Sequence, residues 1–245
     1  MANNEIVPII LAAGRGSRLG QGDIPKTMAL VAGKPLMQLA VESLLKTGFA
    51  SADIIVVIGF RGEVIKSYFG ADLGYVLQPE LNGNAGALDA FLSENKEIDK
   101  HVLVIQGDDA NQATPENLQQ LIHFHFSRQA DISILTVNHP DPESHLIEYI
   151  SDRDGQVVEI IPRESIDSNG QYTAGIYIFS GPLLAHFLPI LKETTPEGKE
   201  LGIINLIQLA LNSDQRVFRH NSNQEYVSVN TPKGLRNLRQ KVTEP

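Results

Sequence analysis

Residues 6–18 read Ile6-Val7-Pro8-Ile9-Ile10-Leu11-Ala12-Ala13-Gly14-Arg15-Gly16-Ser17-Arg18. An apolar run opens into a glycine-bearing loop with two arginines. Ile6–Leu11 is apolar on both sides of the two-residue strand repeat, which suits a parallel sheet covered by helices on both faces. Ile54–Ile58, Tyr75–Leu77, Val102–Ile105 and Ile132–Val137 are further strand candidates. Between them lie amphipathic stretches of helical length: Pro35–Lys46, Gly62–Tyr68, Asn84–Asn95 and Pro115–Arg128. Thr114 before Pro115 is a good N-cap and first-turn pair. The alternation predicts an α/β fold, a doubly wound sheet with right-handed crossovers.

Beyond residue 140 the pattern changes. Glu148–Ser151, Val157–Ile161 and Ala174–Phe179 read as strands, with Asp154-Gly155 and Asn169-Gly170 as hairpin signals. Pro182–Leu191 and Leu201–Leu211 read as helices. A final strand, Glu225–Val229, leads into a helix beginning at Thr231-Pro232. No linker, low-complexity tract or repeat interrupts the chain. The expectation is one domain over 1–245, a mixed sheet with an antiparallel insert in its second half.

The length of 245 residues fits one large domain or two small ones. Hydrophobic residues at 42% and charged residues at 20% exclude a disordered or fibrous chain. There is no cysteine, so disulfides, thiolate metal sites and cysteine nucleophiles are excluded. A formal charge of -9 disfavours nucleic acid and anionic membranes as partners. Any phosphate site must be built locally. No apolar run reaches the ~18 residues of a membrane span. The N-terminus lacks the basic region of a signal peptide, so the cytoplasm is the expected compartment.

A glycine loop after a strand lets backbone N–H groups approach phosphate oxygens, and Arg18 adds a forked cation. The dinucleotide fingerprint fails, because it needs glycine where Leu19 stands and Gly20 comes one residue late. The Gly-Lys-Ser/Thr of a Walker A loop is absent. By itself the loop is equally well an ordinary strand-to-helix turn. Downstream come Pro25-Lys26, then Met28-Ala29-Leu30-Val31-Ala32-Gly33-Lys34-Pro35-Leu36.

With these residues the chain resembles the sugar-phosphate nucleotidylyltransferases, or nucleotide-sugar pyrophosphorylases. It is most similar among them to the uridylyltransferase domain of N-acetylglucosamine-1-phosphate uridylyltransferases. Their signature is LAAGxGTR, then PK, then a GKP turn; Ser17 replaces the usual threonine. The resemblance implies a Rossmann-like nucleotidyltransferase fold. It implies that Leu11, Ala12, Ala13, Gly14, Arg15, Gly16 and Ser17 wrap a nucleoside triphosphate. Arg18 and Lys26 would be catalytic, neutralising charge on the triphosphate and on the leaving pyrophosphate.

Later stations follow in family order. Gln78 would read a pyrimidine base edge, since an amide offers a donor and an acceptor. Gly83 and Asn84 would sit at the base, with Asn84 departing from the usual threonine. Gly107-Asp108 ends a strand where open α/β sheets bind ligands. The resemblance makes Asp108 a magnesium ligand, and Asn230 in Val229-Asn230-Thr231-Pro232 a second. Mg2+ is the implied cofactor, and two protein oxygens with phosphate and water suit it. Asp109 should point elsewhere.

The nucleotide-binding half is residues 1–110 and the acceptor-binding half 140–225. The second departs from the family. Ser144–Ile150 contains no glycine, Pro162-Arg163-Glu164 loses a sugar-binding glutamate, and Thr173 replaces an asparagine ahead of Ala174-Gly175. Glu200–Asn205 differs from the family's E-Y-x-x-T-D. Arg163, Thr173 and Gly175 are the expected acceptor contacts, and His145 is a further candidate. The expected partners are a nucleoside triphosphate and a small phosphorylated acceptor, with UTP, CTP and dTTP all open. The other histidines form no metal pattern; His123 and His125 face different ways on one helix. No hexapeptide repeat of the kind seen in some relatives occurs. A non-catalytic nucleotide- or metabolite-sensing homologue is the alternative reading. The survival of Arg18, Lys26, Asp108 and Asn230 favours catalysis.

Overall fold

The computed structural model describes residues 2–15, 24–95, 98–138, 146–163, 170–224, 227, 229 and 232–243. In chain order come β1 (Ile6–Ala12), β2 (Leu30–Val31), β3 (Lys34–Pro35), α1 (Leu36–Lys46), β4 (Ile55–Ile58) and α2 (Gly62–Phe69). Next are β5 (Gly74–Leu77), α3 (Asn84–Glu94), β6 (His101–Gln106), α4 (Pro115–Ser127) and β7 (Ile132–Val137). The second half holds β8 (Leu146–Ser151), β9 (Val157–Arg163), β10 (Tyr172–Phe179), α5 (Gly181–Thr194), α6 (Ile203–Leu211), β11 (Val217–Asn221) and α7 (Pro232–Thr243).

The main sheet runs β11-β7-β10-β6-β1-β4-β5, with β8 joined to β10 and β9 joined to β8. β1 lies at the centre, parallel to β4 and to β6. Pro8 cannot donate to a ladder. It is accommodated because pairing with β4 begins one residue later, at Ile9↔Ile55. Alternate residues of β1 feed two cores. Ile10 packs with Leu36, Met37 and Ala40 of α1, Leu118 and Leu121 of α4, and Leu235 and Leu238 of α7. Ile9 packs with Leu88 and Phe91 of α3, Leu184 and Phe187 of α5, and Leu206 and Ile207 of α6. Both faces are covered, which explains why the strand is apolar throughout. Thr114 caps α4, its side chain accepting from Asn117 N.

The α/β class, the mixed sheet and the antiparallel second half agree with expectation. β10 runs antiparallel to both β6 and β7. β8 and β9 form the hairpin expected at Asp154-Gly155. The second expected hairpin is corrected: β9 pairs with β8, while β10 turns to β6, β7 and β8. β10 lies between β6 and β7, and its residues Tyr177, Ile178 and Phe179 gain partners on both sides. Asn169 lies outside the described residues. Strand β11 went unread because Val217-Phe218-Arg219-His220-Asn221 carries three polar residues at the sheet margin. Val227 and Val229 of the expected last strand are not in strand; the rest of that segment lies outside the described residues.

Candidate active site

Because β1, β4, β5 and β6 are parallel, the loops after them gather at one edge of the sheet. β10 runs the other way, so its first residues reach that same edge. Residues from both halves of the chain therefore meet there.

After β1, Ala12 and Ala13 are buried, whereas Gly14 and Arg15 are exposed. Ala13 O accepts a hydrogen bond from Phe60 N at 3.0 Å. The Arg15 guanidinium stands 5.6 Å from the centroid of the Phe60 ring. That contact restrains a long, mobile cation. Phe60 was not singled out from the sequence, where only its flanking Gly59 and Gly62 hint at a tight turn. Gly16, Ser17 and Arg18 lie outside the described residues.

Gly107 explains how two distant charges come together. A Cβ on it would lie 2.6 Å from Thr27 Cγ2 and 2.7 Å from Leu11 O. Without that atom, β6 ends tightly against both the β1 carbonyl and the turn at Lys26–Met28. Lys26 Nζ then reaches Asp108 Oδ2 at 2.7 Å. The lysine side chain is 12% exposed and the carboxylate 36%. One is held from below and the other opens to the edge.

After β5, Gln78 is buried. Its Nε2 donates to Asn82 Oδ1 at 2.9 Å and to Gly83 O at 3.0 Å. Gly83 O can only accept, which fixes the amide orientation. The donor is thus spent on the loop. Asn84 is tied to the second half of the chain. Its Oδ1 accepts from Ile203 N at 2.7 Å, so the side chain caps α6. Leu201 N donates to Asn82 O at 2.6 Å and Leu201 O accepts from Ala85 N at 2.9 Å. The expected base loop is fastened to the 201–203 segment of the second half.

At the start of β10, Thr173 Oγ1 accepts from Gly175 N at 3.0 Å and donates to the Tyr177 hydroxyl at 2.9 Å. Tyr177 neighbours Tyr149 of β8. Burial drives both phenols well above their ordinary range, Tyr149 with the neighbouring Tyr177 and Tyr177 with the nearby Asp109 and Asp108 charges as further causes. These tyrosines, and buried Glu148 on β8, went unnoticed because sequence alternation marked them only as strand residues. The backbone of Arg163 pairs with Leu146 in β9–β8. The Arg163 side chain, His145 and Asn230 lie outside the described residues. Among the described residues, no three His, Cys, Asp or Glu side chains form a group that could hold a metal. The oxygen donor at the edge, Asp108, is of the hard type that suits a cation shared with phosphate oxygens.

Residues 8–174, more than half of the chain, match the family described as MobA-like NTP transferase domain. The bifunctional protein GlmU of Blochmanniella pennsylvanica (strain BPEN) is 32% identical over 216 residues, covering 82% of this chain and 44% of that protein. The chain spans under half the length of the curated relatives it matches. A solved UDP-glucose pyrophosphorylase complexed with UDP-glucose shares the fold at TM-score 0.78 and 18% identity, over 96% of this chain and 97% of that one. The inositol-1-phosphate CTP transferase from T. maritima shares it at TM-score 0.71 and 21% identity, over 98% and 96%. The match over residues 8–174, more than half of the chain, places the chain in the MobA-like NTP transferase family.

Proposed function

We propose that this chain transfers a nucleoside monophosphate from a pyrimidine triphosphate to a small phosphorylated acceptor, releasing pyrophosphate. The observation that carries the reading is Lys26 set 2.7 Å from Asp108 at the ligand edge. A cation and a carboxylate brought together from distant segments suit a site for a metal-bound polyphosphate.

An oxygen of the acceptor phosphate attacks the α-phosphorus, and the bond to the bridging oxygen of the pyrophosphate breaks. The acceptor is already anionic near pH 7, so no general base is required. The backbone of Leu11–Ser17 would bind the triphosphate. Lys26 and Arg18 would neutralise charge on the departing pyrophosphate, which is where positioned cations accelerate such a step. Asp108, with Asn230, would hold Mg2+, which supplies charge neutralisation on the phosphate oxygens. Gln78 Oε1 and the Gly83 backbone would meet the base, and the Asn84 side chain would act through α6 instead. Arg163 would take the acceptor phosphate, with Thr173 and Gly175 beside it. Residues 1–110 would serve the nucleotide and 140–225 the acceptor.

A pyrophosphate-release screen tests the reading. UTP, CTP, dTTP and ATP are each offered with glucose-1-phosphate, N-acetylglucosamine-1-phosphate, inositol-1-phosphate and glycerol-3-phosphate. Acceptor-dependent release with a pyrimidine triphosphate supports it. Tight triphosphate binding without release under any pairing would turn the reading toward a sensor.

A further inference from the structure

β10 reaches the ligand edge by an irregular path. Its register with β7 shifts between Thr173 and Tyr177, and Gly175 has φ +72°. A bulge of this kind bends a strand and re-aims its backbone. Thr173 Oγ1 holds it, accepting from Gly175 N and donating to the Tyr177 hydroxyl. Asp109 packs against the strand at Gly175. A Cβ on Gly175 would overlap Asp109 Oδ2 and stand 2.7 Å from both its Cβ and its Cγ, so the Asp109 side chain is packed directly against the glycine. Asp109 is only 9% exposed, whereas the Asp108 side chain is 36% exposed and turned to Lys26. Two adjacent carboxylates thus face different tasks.

We infer that Asp109 is a positioning residue: set against Gly175, it fixes the β10 bulge so that the acceptor is held in line with the nucleotide. The inference rests on the nucleotidylyltransferase reading. It separates the neighbouring aspartates, Asp108 acting on the nucleotide side and Asp109 on the acceptor side.

The experiment compares Gly175→Ala, Asp109→Ala, Asp109→Asn and the double variant Asp109→Ala/Gly175→Ala. Binding of the magnesium triphosphate is measured by calorimetry without acceptor, and kcat and KM for the best acceptor of the screen are measured separately. Gly175→Ala is expected to cut kcat/KM for the acceptor about tenfold or more, with triphosphate affinity within about twofold of the parent. Asp109→Asn keeps the shape and should stay near the parent. The double variant should recover only part of the Gly175→Ala loss, because it removes the overlap with Oδ2 and Cγ while the Cβ of residue 109 still stands 2.7 Å from the methyl. Loss of magnesium-dependent triphosphate binding in Asp109→Asn, or strict additivity in the double variant, overturns the inference. Should the parent transfer to no acceptor, the underlying reading fails instead. Hydrogen exchange then decides for the clamp: faster exchange confined to residues 172–179 in Asp109→Ala supports it, and unchanged exchange there overturns it.

Discussion

Asn84, in the loop expected to touch the base, gives its side-chain oxygen to the backbone N–H of Ile203 at 2.7 Å, 119 residues away. The bond satisfies an otherwise orphaned donor at the start of α6. Asn84→Ala is expected to cost about 1 kcal/mol of stability, as loss of a cap does. A lowered urea midpoint with an unchanged slope would show it. Unchanged stability with weakened triphosphate binding would return the side chain to the ligand.

Lys26 and Asp108 should fail in different ways. Asp108→Asn is expected to lower turnover about a hundredfold or more while the fold survives, since positioned charge at a metal edge is worth several kcal/mol. Lys26→Ala and Arg18→Ala should lower kcat more than they raise KM, because their charges act most on the leaving pyrophosphate. Steady-state kinetics at saturating magnesium decides, and a pure KM effect in both would remove them from the transition state.

Gln78→Glu places a carboxylate where an amide now donates to Asn82 Oδ1 and Gly83 O. Two acceptors then face an acceptor in a buried position, at about 1–3 kcal/mol. Chemical denaturation should show that loss together with weaker triphosphate binding. A fully stable variant would mean that the loop does not depend on this amide.

The imidazoles at the other end of the sheet govern acid stability. His125 is buried, with Nδ1 2.8 Å from Ser133 Oγ and Nε2 2.9 Å from His101 Nδ1. Burial, then the neighbouring His101, lowers its pKa to about 3, and burial lowers that of His101. Both folded values lie below the ordinary 6.5. Above pH 6.5 neither state takes a proton and stability is flat. As pH falls below that, the unfolded chain protonates first, and stability drops by up to about 1.4 kcal/mol per pH unit for each fully shifted histidine. Urea midpoints from pH 7.5 to 5 should fall more steeply in the parent than in His125→Gln. Equal slopes would clear His125.

Glucose-1-phosphate and N-acetylglucosamine-1-phosphate are expected to be poor acceptors. The missing glycine in Ser144–Ile150, Pro162 in place of glutamate, and Thr173 in place of asparagine each remove a partner for sugar hydroxyls. Thr173 adds to this, since its hydroxyl is already engaged by Gly175 and Tyr177. Efficient turnover of either sugar phosphate in the screen would show that other residues supply those partners.

The layers of the fold were readable because β1, β4 and β6 are apolar on both faces, β7 is mostly so, and the intervening segments are amphipathic. Lys26 and Asp108 could be paired only through the order of motifs, since they lie 82 residues apart. Local patterning could not show what joins distant segments. The Asn84–Ile203 bond is one case. The Asp109–Gly175 contact is another, for it depends on a bulge that breaks the strand's alternation. Asn169-Gly170 misled for a related reason: a turn signal marks a change of direction, and the available sheet positions decide the partner.

In the parallel part of the sheet, the loops gathered at the candidate site leave the C-terminal ends of β1, β4, β5 and β6. β10 supplies its N-terminal end instead. Insertions or exchanges ahead of Tyr172 therefore lengthen none of the connections that follow β1, β4, β5 or β6. On the proposed function, grafting the stretch that leads into β10 from another family member should redirect the acceptor while the nucleotide preference is inherited unchanged.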